Sequence, residues 1–140
     1  MSSEIPEAFV PLFRTSPYLD LIGPLYCTGN GAQLVIGFRV QEKHTNARGL
    51  LHGGVLASVA DVALGYGLAT SKTPPASMLT ANLTLDYSGS AKLGEWVETS
   101  LDIQKLGSRL AFANAYFHVD AQRIARASAV FLVMESRQHS

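Results

Sequence analysis

The stretch GGVLASVADVALGYGLAT, Gly53 to Thr70, decides the fold. It is the only long helical candidate in the chain, and Val55, Leu56, Val59, Val62, Ala63, Leu64, Tyr66 and Leu68 point in nearly every direction around a helix. Such a pattern predicts a core helix, covered on most sides. Gly65 and Gly67 each weaken it by about 1 kcal/mol relative to Ala, so tertiary packing must hold it.

Outward from the helix the period changes from helical to two-residue. After Pro74-Pro75, Leu79, Ala81, Leu83, Leu85 and Tyr87 alternate with Thr80, Asn82, Thr84 and Asp86, which reads as a strand until Ser88-Gly89-Ser90. Val97, Thr99, Leu101 and Ile103 form a second strand, closed by the turn Leu106-Gly107-Ser108, and Leu110 to Val119 and Ile124 to Met134 supply two more. On the N-terminal side Leu34, Ile36, Phe38 and Val40 alternate in a strand that begins at Ala32, after a hairpin turn at Gly29-Asn30-Gly31. Ala8, Phe9, Leu12 and Phe13 share one side at helical spacing, which predicts a short helix from Glu7 to Arg14 in the segment 5–14. The order of elements predicts an α+β fold, a curved antiparallel β-sheet wrapped around one long central helix, in a single domain over residues 1–140.

Composition narrows the function classes. Charged residues make up only 16% of the chain, against about 25% in an average globular protein, so part of the surface is expected to be covered by copies of the same chain. The formal net charge is zero and no basic run could track a nucleic-acid backbone. A single cysteine, Cys27, excludes an intrachain disulfide, and His44, His52, His118 and His139 have no metal-like spacing. His44, His118 and His139 read as surface or strand-pairing residues. The acidic, polar N-terminus and the lack of an apolar run of ~18 residues predict a cytoplasmic chain without a membrane span.

Asp61 is the residue that demands a chemical explanation. It sits mid-helix among apolar neighbours, where an unpaired buried carboxylate costs several kcal/mol, so it must be partnered, protonated or facing a wet cleft. Gly54, Ala57, Ser58, Gly65 and Leu68 share its face, and most are small enough to leave room for a ligand. His52-Gly53-Gly54 opens the helix, where free backbone N–H groups can hold the negative charge that develops on a carbonyl during acyl transfer. Asn46 and His52 offer hydrogen-bonding groups nearby; each read alone is a loop-stabilising residue as readily as a catalyst. A G-x-S-x-G elbow is absent, and Cys27 has no partner base.

The stretch NARGLLHGGVLASVAD, Asn46 to Asp61, resembles the N-x-x-G-x-x-H-G-G signature, with an acid on the following helix, of hotdog-fold acyl-CoA thioesterases of the phenylacetate-degradation type, in the 4-hydroxybenzoyl-CoA thioesterase superfamily. Tyr87 to Glu95 and the turn Leu106-Gly107-Ser108-Arg109 resemble later parts of the same family. The resemblance implies hydrolysis of an acyl-CoA or aryl-CoA thioester without a cofactor. It also implies a homodimer with one continuous sheet and active sites at the interface, two such dimers forming a tetramer. By the same resemblance Asp61 is the catalytic carboxylate, Gly53 the oxyanion donor, and Asn46 and His52 position the thioester or water. Thr80 matches a position that holds the acid or the water, although strict alternation would turn it away from Leu79 and Leu83. Gly54, Gly65, Gly107, Ser108 and Arg109 are the expected substrate contacts, with Arg109, Lys105 and Lys92 as candidates for the CoA phosphates. Tyr66, Met78, Phe112 and Phe117 are candidates for the acyl pocket. A hotdog hydratase or dehydratase and a non-hydrolytic acyl-CoA-binding protein remain as alternatives.

Overall fold

The computed structural model describes residues 4–134. Seven strands form one antiparallel sheet: β1 (Val10–Pro11), β2 (Tyr26–Thr28), β3 (Val35–Arg39), β4 (Ser77–Tyr87), β5 (Trp96–Leu106), β6 (Leu110–Val119) and β7 (Gln122–Met134). Their order across the sheet is β1-β2-β3-β5-β6-β7-β4, which leaves β4 on one edge. Two helices complete the fold, α1 (Pro17–Ile22) and α2 (Gly53–Thr70), and α2 has the extent the sequence predicts.

Helix α2 lies in the concave face of the sheet because that face is built to receive it. Leu56, Val59, Ala60, Ala63, Leu64, Gly67 and Leu68 recur at helical spacing and are buried. Under them the inward positions of β6 and β7 are mostly alanine, Ala111, Ala113 and Ala115 on one strand and Ala125, Ala127 and Ala129 on the other, so the backbone of the helix can approach closely. Phe38, Phe117 and Phe131 fill the remaining volume. The helix is not covered on most sides: Val55, Ala57, Ser58, Asp61, Val62, Gly65, Tyr66 and Ala69 stay half-exposed. One chain has a single sheet, and a sheet can seal only one side of a helix.

The predicted helix from Glu7 to Arg14 is absent. Residues 10 and 11 pair with β2 instead, Val10 opposite Cys27 and Pro11 opposite Tyr26. Pro11 would lie inside that helix, where a missing N–H and a ring clash cost about 3 kcal/mol. The helix starts later, at Ser16-Pro17, with the Ser16 hydroxyl accepting from Leu19 N at 3.2 Å and proline in the first turn. The apolar residues of the segment are used as anchors, Phe9 edge-on to Trp96 with ring centroids 5.2 Å apart.

Strand β3 keeps the predicted alternation, with Leu34, Ile36, Phe38 and Val40 all buried, but begins at Val35, because Gly31–Gln33 turn through a 3₁₀ helix first. In β4 the alternation breaks. A bulge between Thr80 and Asn82 inserts one residue into the register with β7, and parity reverses across it. Before the bulge Met78 faces α2 with Thr80; after it Leu83 and Leu85 do.

Candidate active site

Thr80 reaches α2 because of that bulge, and its hydroxyl donates to Asp61 Oδ1 at 2.5 Å. A hydrogen bond to an ionised acceptor is short and strong, so it fixes the carboxylate rotamer while leaving the second oxygen uncommitted. That carboxylate opens on two adjoining cavities. One, about 430 Å³, is bounded by Gly65, Tyr66, Met78, Phe131 and residues 14–19; the other, about 380 Å³, by Tyr18, Ala57, Ser58 and Leu83. The mid-helix acid is thus both partnered by Thr80 and open to a cleft. Gly65 borders the first cavity, and a methyl group there would meet only the Phe131 ring, at 3.6 Å.

The start of α2 forms a second cluster. His52 caps the helix, its Nδ1 accepting the Gly54 N–H at 3.1 Å, which requires the neutral ring with its proton on Nε2. The Gly54 amide is thus already taken, whereas the Gly53 N–H has no partner among the described residues. Tyr87 fixes the following peptide, Gly53–Gly54, its hydroxyl donating to the Gly53 carbonyl at 2.8 Å. A Cβ at position 53 would lie 3.1 Å from the Tyr87 ring, tight enough to push the ring away from the helix start. Partial burial raises the Tyr87 pKa above its ordinary value, which keeps the phenol protonated as a donor at neutral pH.

Asn46 closes the loop that leads into the helix. Its side-chain oxygen accepts from Arg48 N at 2.9 Å and Leu50 N at 3.2 Å, so the oxygen is a loop stabiliser and only the amide nitrogen is free for a ligand. The loop rests on His44, which is buried rather than on the surface. The His44 Nδ1 accepts from Gln41 N at 2.9 Å, and Nε2 lies 2.6 Å from the Ile22 carbonyl. Burial pushes its pKa down, opposed by the bond to Ile22, with Lys43 adding to the decrease.

Two groups of expected residues do not join these clusters. Gly107, Ser108 and Arg109 form the β5–β6 turn, where Gly107 N donates to Leu110 O and a Cβ at 107 would meet that oxygen at 2.7 Å. The glycine is needed for the turn, and Lys105 and Arg109 sit at the far end of the sheet from Gly53 in the same chain. Lys92 is nearer, bridged to Leu50 beside the Asn46 loop. Of the four acyl-pocket candidates Tyr66 and Met78 line the Asp61 cavity, while Phe117 is sealed in the core and Phe112 faces the outer side of the sheet. Strand parity decides both cases. His139 lies outside the described residues, and among these no group of three potential metal ligands occurs.

Sequence reasoning placed Ser58 on the Asp61 face but missed Arg14, Tyr18, Phe131 and the Tyr87 contact. Because the Ser58 proton goes to the Gly54 carbonyl at 3.2 Å, the Tyr18 hydroxyl donates to Ser58 Oγ at 2.6 Å, which pins α1 over α2 beside Asp61. The Ser-Pro capping signal at 16–17 was the available clue.

A single helix with an oriented acid and a glycine-opened N-terminus, wrapped by an antiparallel sheet, is the hotdog architecture, and comparison with known proteins bears on its class. The structure of zebrafish thioesterase superfamily member 2 superposes with a TM-score of 0.77 at 26% identity, over 85% of this chain and 88% of that one. The chain belongs to the thioesterase superfamily, whose family model matches residues 48–126. A Pseudomonas aeruginosa protein named "Putative esterase PA0474" is 48% identical over 128 residues, 91% of this chain and 96% of the relative. Mouse acyl-coenzyme A thioesterase 13 is 36% identical over 83 residues, 59% of this chain and 58% of the relative. The chain is accordingly a thioesterase.

Proposed function

We propose that the chain hydrolyses the thioester of an acyl- or aryl-coenzyme A, releasing the free acid and CoA, with Asp61 as the reacting carboxylate and the Gly53 N–H as the oxyanion donor. The observation that carries this reading is a mid-helix carboxylate held by Thr80 at 2.5 Å and open to a cavity on its other side. Asp61 either takes a proton from the attacking water or attacks the carbonyl itself, giving a mixed anhydride that water then cleaves. In both routes the carbonyl oxygen becomes negative and is stabilised by a backbone N–H. CoA leaves as a thiolate, which needs little proton assistance, and no resident cofactor is required.

One length argues that each site uses two copies. Gly53 and Asp61 are eight residues apart on one helix, about 12 Å at 1.5 Å per residue, too far to act on the same carbonyl. The outer edge of β4 is unpaired in the single chain and Leu79 beside it is 54% exposed. Antiparallel pairing of two β4 edges would continue the sheet and bring the start of one α2 toward the Asp61 of the other. The same pairing carries the Arg109 turn toward the partner's helix start, which supports Arg109, with Lys105 and Lys92 as further candidates, as a CoA phosphate contact. Two such dimers, membership of the phenylacetate type of thioesterase and a cytoplasmic location belong to the same proposal.

The test is thiol release from a panel of aryl- and alkyl-CoA thioesters. Asp61→Asn is expected to lower kcat by about 10²- to 10⁴-fold with an unchanged melting temperature. Normal turnover by that variant would end the proposal.

A further inference from the structure

The wall of the Asp61 cavity facing α2 is supplied by residues 14–19, outside the span 48–126 matched by the family model. This wall is held in place by its own contacts. Phe13 packs on Tyr66 with ring centroids 5.3 Å apart, the Tyr66 hydroxyl reaches the Arg14 carbonyl at 3.5 Å, and Tyr18 is tied to Ser58. From Asp61 the groove runs along α2 past Gly65 and Ala69 into a further cavity of about 600 Å³, bounded by Phe13, Thr70 and Pro75. Asp61 to Thr70 is nine residues, about 13 Å of helix, so an acyl group with its carbonyl at Asp61 would reach that second cavity only if it spans a similar length along the groove.

The lining of that second cavity is mostly apolar, from Phe13, Tyr66, Ala69, Pro75 and Ala76, and Arg14 supplies its one charge. Arg14 lines both cavities, is the one cation in either lining, and its guanidinium has no hydrogen bond or ion pair among the described residues. The Ser77 hydroxyl also borders both and makes no hydrogen bond among the described residues. Both residues are exposed, so a methyl end arriving there would leave their hydration in place and gain no hydrogen bond from them. A carboxylate would accept two parallel N–H bonds from the planar guanidinium.

We propose that the groove selects acyl groups whose far end carries an anionic oxygen, a terminal carboxylate, held by Arg14. The assignment rests on the thioesterase reading above and concerns its substrate class. A CoA phosphate is the other source of such an oxygen, and the experiment separates the two.

The measurement is kcat/KM of the full chain and of Arg14→Gln for CoA thioesters of one chain length ending in methyl, hydroxyl or carboxylate. The carboxylate-ended acyl group is also presented on N-acetylcysteamine in place of CoA. The native chain is expected to prefer the carboxylate over the methyl end by about tenfold or more, and Arg14→Gln to collapse that ratio toward one. The loss should appear on both thiols. Equal native rates for methyl and carboxylate ends, or a best rate for the hydroxyl, would overturn the assignment. So would an equal loss on every CoA thioester with the N-acetylcysteamine thioester spared, since Arg14 would then hold the CoA phosphates. Thiol release without end-group preference removes the acyl assignment alone, whereas no thiol release from any thioester removes the thioesterase reading and this assignment with it.

Discussion

Gly65 and Gly67 lie two residues apart on α2, yet they do opposite things. A methyl at 67 would stand 2.2 Å from Leu101 Cδ1 and 3.2 Å from the Gly31 carbonyl, so this glycine lets the helix press on β5 and the loop before β3. A methyl at 65 would touch only the Phe131 ring at 3.6 Å, so that glycine keeps space open beside Asp61. The contrast extends to the whole helix. Its sheet side is packed to exclusion of water, with Val59, Ala60, Ala63, Leu64 and Leu68 sealed, while its other side carries the polar groups and the cavities. One side supplies stability and the other supplies a place for chemistry, and a substitution should reveal which side it touches by which property it changes.

The largest effect on the sealed side is expected from Gly67→Ala. Overpacking against Leu101 should cost about 1–3 kcal/mol, in spite of the better helix propensity of alanine. Urea unfolding measures it, and a more stable variant would show that the contact with β5 is loose. At the helix start Tyr87→Phe removes the hydroxyl bond to Gly53 and keeps the ring. We expect kcat to fall by about tenfold, the worth of one hydrogen bond, with little change in KM or melting temperature. A change in KM alone would mean that Tyr87 touches the substrate and does not position the oxyanion donor.

The histidines sharpen the same comparison, since His52 caps α2 in the open while His44 is sealed beneath the loop. Burial depresses the His44 pKa in the folded chain, so on acidification the unfolded chain takes up the proton first. The stabilisation is present above the unfolded value of about 6.5 and is lost as pH falls from there toward the folded pKa, by at most about 1.4 kcal/mol per pH unit. Unfolding free energies between pH 7 and 5 should show that slope, and His44→Asn should flatten it; an unaltered slope would assign it to other groups. The smallest effect is expected from Gly65→Ala. Stability should rise by up to about 1 kcal/mol while kcat/KM for bulky acyl groups falls relative to small ones. Unaltered selectivity would mean that acyl groups do not pass Gly65.

Much of this was legible in the sequence because it depends on local periodicity. The extent of α2, the four strands after Ala32 that carry inward alternation, and the glycine-opened start of the helix all follow from residues near one another in the chain. The family resemblance pointed Thr80 at the acid while strict alternation set it apart from Leu83, and the alternation fails for a physical reason: it holds only while the register holds, and a one-residue bulge at β4 inverts every side chain before it relative to those after it. The N-terminal segment was misread because Ala8, Phe9, Leu12 and Phe13 satisfy a helical pattern that Pro11 forbids, and their apolar side chains are spent on Trp96 and Tyr66 instead.

The amino-acid order by itself determined the secondary elements and the local motif at the start of α2, since hydrophobic period, proline, glycine and capping residues act over a few positions. Only the tertiary structure decided that Thr80 meets Asp61, that Tyr87 holds the Gly53 peptide, and that Arg14 and Tyr18 wall the cavity. Those contacts join residues 19 to 52 positions apart in the chain, and which of them form depends on how closely a helix settles on a sheet of alanines.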